Sequence, residues 1–119
     1  MEEGDFSKQI GDFKKILANK KEDYGEKAAV IHEIRINLCE DNPPIKPVLD
    51  ADIIPSLITL GKATKAEETL IEIVWILSNL AFGDHEAVSL LLKKNVHKFL
   101  IETLNSHQTD EVFYNVIFS

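Results

Sequence analysis

Glu68-Thr69-Leu70-Ile71-Glu72-Ile73-Val74-Trp75-Ile76-Leu77-Ser78-Asn79-Leu80-Ala81-Phe82-Gly83 is the stretch whose periodicity decides the fold. Leu70, Val74, Leu77 and Ala81 recur along one helical stripe, and Ile73, Ile76 and Leu80 along the next. Most of the circumference is therefore apolar, which predicts a helix packed between layers. Trp75 and Asn79 share the remaining stripe, about one turn apart. An indole and a carboxamide on the one open face make a candidate peptide-binding surface.

Upstream of this helix, Phe6, Ile10, Phe13 and Leu17 recur at helical spacing, with Asp5 placed as an N-cap and Asn19 near the stop. A second helix has Ala28, Ile31, Ile34 (or Arg35) and Leu38 on one face, widened by Val30. Asn42-Pro43-Pro44 ends it, because the residue before a proline is pushed out of the α region and proline cannot continue the hydrogen-bond ladder. Ile45 to Ala51 reads as a short helix that accommodates Pro47 in its first turn. Asp52 takes a tight corner, a further helix starts near Ile53 and Pro55 and is expected to end at Gly61, and Lys62 to Ala66 reads as a loop.

Downstream the same order returns. Gly83-Asp84 turns the chain, Glu86 to Lys94 forms a short helix with Val88, Leu91 and Leu92 inward, and Asn95 takes the corner. Val96 to Leu104 follows as a medium helix, then a polar loop from Asn105 to Thr109, then a third helix opening at Asp110. Asp52 and Asn95 are offset by 43 residues, and Trp75 and Ile117 by 42. Short, medium and long helices recurring at that period predict an all-α, right-handed solenoid of armadillo-type repeats. The expected division is a helical cap or half repeat over 1–42, a repeat over 43–83 and an incomplete repeat over 84–119. Each such unit buries its apolar face only against its neighbours. The apolar Val112, Phe113, Val116, Ile117 and Phe118 run to Ser119 without a stop signal, so a fragment, or an end covered by a second copy, is expected.

Composition narrows the function. With 119 residues, 45% of them hydrophobic and 28% charged, the chain is sized for one folded domain. Its formal charge of −7 argues against nucleic acid or an anionic membrane as the main partner and favours a basic one. The single Cys39 cannot form an internal disulfide, and the acidic start has no signal-peptide pattern, so a reducing, intracellular setting is expected. The longest apolar run, Ile73 to Phe82, falls far short of the roughly 20 residues that a membrane-spanning helix needs. His32, His85, His97 and His107 show no metal-ligand spacing, Cys39 has no identifiable base and reads as a buried thiol, and single scattered glycines form no phosphate loop. Nothing in the sequence supports an enzyme, a metal or a cofactor.

Cys39-Glu40-Asp41-Asn42-Pro43-Pro44-Ile45, Ala51-Asp52-Ile53-Ile54-Pro55, Leu60-Gly61-Lys62 and Ile71 to Gly83 resemble, in order and spacing, the first armadillo repeat of importin-α, the nuclear import adaptor family. The most specific element is Trp75 and Asn79 on a third helix followed by the Gly83 corner, and the likeness runs over about residues 28 to 106. The resemblance implies that Trp75 and Asn79 line a concave groove. Trp75 would pack on the stem of a Lys or Arg of a nuclear localisation signal, and Asn79 would hydrogen-bond the peptide main chain. An indole attracts a cation by about 0.5 to 2 kcal/mol, and a carboxamide both gives and takes a hydrogen bond. Glu72 and Gly83 complete the expected peptide-binding set. Basic cargo segments, an importin-β-like carrier and residence in cytoplasm and nucleus are further implications.

Three positions depart from the family pattern. Ile117 stands where a second Trp is expected, Val88 where a Thr would hold the key lysine, and the acidic N-terminus carries no basic importin-β-binding segment. Bland readings stay open beside the sharp ones: Trp75 as a core aromatic, Asn79 as a residue of the last helical turn, and Glu68 and Glu72 as a solvated stripe. The alternative function is an armadillo scaffold that docks folded partners, or a homodimer formed through the C-terminal end.

Overall fold

The computed structural model describes residues 3–19, 24–64 and 66–106. Every regular element among them is helical: α1 Glu3–Ala18, α2 Tyr24–Leu38, α3 Ile45–Asp50, α4 Ile54–Ala63, α5 Glu67–Leu80, α6 His85–Lys93 and α7 Val96–Ser106. No helix among them is long and apolar enough to cross a membrane. Each predicted helix within this range is present, and the whole is an all-α solenoid of packed helices.

The α5 helix is the hub, because it packs against both α2 and α4. Leu70, Ile73, Val74, Ile76, Leu77 and Leu80 are buried along it, as two adjacent apolar stripes require. They meet Val30, Ile31, Ile34 and Leu38 of α2 and Ile54, Leu57 and Leu60 of α4 in one core. Full burial of such a side chain is worth about 1.5–3 kcal/mol, so this layer dominates the stability of the module. Phe6, Ile10 and Leu17 close one flank from α1, which packs on α2, α3 and α4. Its recorded start at Glu3 places Asp5 inside the first turn rather than at the cap.

The two predicted corners share one backbone solution. Asp52 (φ 55°) and Asn95 (φ 61°) are the non-glycine residues with positive φ among the described residues. Each sits just past the C-terminal cap of its short helix, where a left-handed residue ends the hydrogen-bond ladder, and Asp and Asn tolerate that conformation better than most. Lys94 Nζ reaches Asp52 Oδ1 at 3.2 Å, tying one corner to the other. The α6 helix is started by Asp84, whose side chain accepts from the Ala87 N–H at 3.0 Å.

Several local expectations need correcting. Gly61 does not end α4, which continues to Ala63; the glycine is buried against the ring of Phe99 on α7, so close that a Cβ there would lie 2.6 Å from its Cζ. Val88 and Leu92 are exposed rather than inward, and the buried residues of α6 are Ala87 and Leu91. The α6 ridge is therefore rotated by one residue from the predicted one. Cys39 is exposed, not a buried thiol. Asn105 and Ser106 belong to α7 rather than to a loop. The helix expected to open at Asp110, with Val112, Phe113 and Ile117, lies outside the described residues.

Candidate functional site

Trp75 lies at the middle of α5, where its neighbours Ile73, Val74, Ile76 and Leu77 are all 0% exposed while the indole is 38% exposed. Asn79 follows one turn later and is half-buried. Its main-chain carbonyl accepts from the N–H of Phe82 at 3.1 Å in the closing turn of the helix. Its carboxamide forms no hydrogen bond with another described residue, so the amide is not consumed in capping the helix.

The surroundings of the indole are set by α2, which runs alongside α5. The guanidinium carbon of Arg35 stands 4.8 Å from the centroid of the Trp75 ring. Arg35 Nε donates to Glu72 Oε2 at 2.6 Å, and His32 Nδ1 lies 2.8 Å from the same oxygen. The side chains of Arg35 and Glu72 retain 21% and 20% of their exposure, so the pair is shielded enough to be worth more than an open surface ion pair. Glu72 is thus the anchor of an ion-paired cluster and not part of a solvated stripe; Glu68, one turn earlier, is exposed. The guanidinium also reaches the Cys39 thiol, with Nη1 at 4.0 Å from Sγ.

Gly83 does not belong to this cluster by contact. A Cβ at this position would meet Cβ of Ala87 at 2.9 Å and Cγ2 of Ile45 at 3.1 Å, so the glycine lets the start of α6 close against α3. Val88 is exposed on α6, and Ile117 lies outside the described residues. Among the described residues no group of three or more His, Cys, Asp or Glu could hold a metal ion.

Arg35, read only as an alternative to Ile34 on the face of α2, and His32, read only as lacking metal-ligand spacing, are not placed beside Trp75 and Glu72 by the sequence. Their spacing of three on α2 places them on one face. What they face is fixed only by the packing of α2 on α5, across 37 and 40 residues of chain.

Helices that each bury their apolar faces against their neighbours, as here, are the architecture of a helical-repeat solenoid. Residues 41–82 match the family model of the Armadillo/beta-catenin-like repeat. Importin subunit alpha-8 of Mus musculus is 34% identical over 67 residues, 56% of this chain and 13% of the relative. The aligned part therefore spans only a small share of that relative. Over residues 41–82 the chain is thus similar to an armadillo-type repeat, and over 67 residues to an importin-α subunit.

Proposed function

We propose that this chain binds extended, basic peptide segments across Trp75 and Asn79, in the manner of a nuclear import adaptor. The observation that carries this reading is the Trp75 side chain, 38% exposed in a helix whose adjoining residues are sealed. Its ring already holds a guanidinium at 4.8 Å, so the face suits a cation. Asn79, one turn on, would hold the peptide main chain without demanding particular side chains. Likeness to importin subunit alpha-8 supports cargo of the nuclear-localisation-signal kind, an importin-β-like carrier for the full protein, and passage between cytoplasm and nucleus.

Titration of a fluorescent Lys/Arg-rich peptide tests this. Loss of the cation–aromatic contact in Trp75→Ala, or of the carboxamide in Asn79→Ala, should each weaken binding by about threefold to thirtyfold, the equivalent of roughly 0.6–2 kcal/mol. Equal binding by wild type and both variants would reduce the effect to general attraction by an acidic protein and sink the proposal. A scaffold reading is favoured by a separate observation, the exposure of Leu92 and Ile101 at 52% and 57%. It predicts association that grows with concentration, and light scattering that stays monomeric would refute the self-docking form of it.

A further inference from the structure

The cation on the indole belongs to the chain itself. Arg35 reaches it from α2, stacked over the ring at 4.8 Å and fixed there by its Nε–H bond to Glu72 at 2.6 Å. We propose that Arg35 sets the selectivity of the Trp75 face: it occupies the place of a peptide's basic side chain, so that a basic segment binds by displacing it. This inference rests on Trp75 being a peptide contact.

The physical argument has three parts. One indole face accommodates one guanidinium plate, and a second cation arriving beside the first is repelled while Arg35 remains. Glu72, the carboxylate that would otherwise attract an incoming Lys or Arg, is already engaged by Arg35 and His32 through a single oxygen. Exchange is nevertheless open, because the Arg35 side chain is part-exposed and can swing toward solvent, leaving Glu72 and the ring face to the newcomer. The apparent affinity is then the intrinsic one reduced by the fraction of molecules in which Arg35 has moved aside. A sequence with a neutral residue at this position would present an uncovered indole and a carboxylate held only by His32.

Two measurements on the whole chain test the proposal, and both exploit the fact that it contains one tryptophan. Without ligand, collisional quenching of Trp75 fluorescence by caesium ion and by acrylamide should rise in Arg35→Ala, by about twofold for acrylamide. Glu72→Gln, which keeps the side-chain shape and weakens the clamp by removing its charge, should raise acrylamide quenching in the same direction, by less. Unchanged quenching in both variants overturns the idea that Arg35 covers the ring. With a Lys/Arg-rich peptide, Arg35→Ala should bind about fivefold to thirtyfold more tightly than wild type, the range expected from releasing a part-desolvated cation–indole contact. Weaker or equal binding, in a titration that Trp75→Ala still disrupts, makes Arg35 part of the binding platform and overturns the proposal alone. Binding that is absent, or indifferent to Trp75→Ala, removes the peptide reading instead, and the proposal with it. Far-UV circular dichroism confirms that each variant folds, and the quenching of Glu72→Gln decides the matter should truncating Arg35 unfold α2.

Discussion

Gly61 on α4 faces the ring of Phe99 on α7, and replacing it with alanine sets two opposing effects against each other. In an unhindered helix the change stabilises by about 0.5–1 kcal/mol, because glycine loses more backbone freedom on folding than alanine does. Here the new Cβ would stand 2.6 Å from Cζ and 3.1 Å from Cε1 of Phe99, whereas carbon atoms rest at about 3.5–4.0 Å. The ring must withdraw by about 1 Å to restore that spacing. Phe99 is 4% exposed, but a hollow of about 260 Å³ lined by Lys62, Thr64, Leu70 and Glu102 adjoins it, so the ring has somewhere to go. Going there uncovers apolar surface: roughly 40 Å² at about 25 cal/mol per Å² is about 1 kcal/mol. If the ring stays and the helices part instead, overpacking costs typically 1–3 kcal/mol. Withdrawal of the ring thus cancels or slightly exceeds the helix-propensity gain, and overpacking exceeds it.

Gly61→Ala should therefore fail to stabilise the protein and destabilise it by up to about 2 kcal/mol, read as an unchanged or lower midpoint in urea unfolding followed by far-UV circular dichroism. In a Phe99→Leu background the clash is gone, and adding Gly61→Ala should be neutral or stabilising. A double-mutant cycle should then give a coupling on the order of 1 kcal/mol between these residues. If Gly61→Ala alone raises stability by the ordinary amount for a helix glycine, the ring has free space and the account of this interface is wrong.

Two further expectations come from the core and the corners. Ile73→Ala, at a fully buried position of α5, should destabilise by about 2–5 kcal/mol in the same urea assay, and a loss under 1 kcal/mol would mean that α5 is not the hub. Asn95→Ala, with φ 61° in wild type, should lower stability by about 1 kcal/mol while Asn95→Gly leaves it within a few tenths; thermal unfolding that ranks alanine at or above glycine would contradict the left-handed corner.

What the sequence disclosed and what it withheld follow from the range of the interactions involved. The two apolar stripes of α5 are a property of one helix, and a period of 3.6 residues is enough to read them; so are Asp52 and Asn95, because residues that tolerate positive φ each stand just after a short helix. Gly61 defeated the same local logic. A glycine near a helix end is a stop signal or a close approach, and only Phe99, 38 positions away, decides between them. The orientation of α6 escaped for a related reason: Val88, Leu91 and Leu92 and the observed Ala87 and Leu91 are overlapping apolar ridges, and the packing neighbour selects which one turns inward. At the candidate site the partial exposure of Trp75 was legible because the two apolar stripes of its own helix leave the indole outside them. The charge state of that surface was not. Glu72 looks like a solvated acid on its own helix and becomes a clamped one only when α2 lays Arg35 and His32 against it. A pattern within one helix thus locates a surface, while the chemistry the surface offers a ligand is set by which residues the neighbouring helix puts there first.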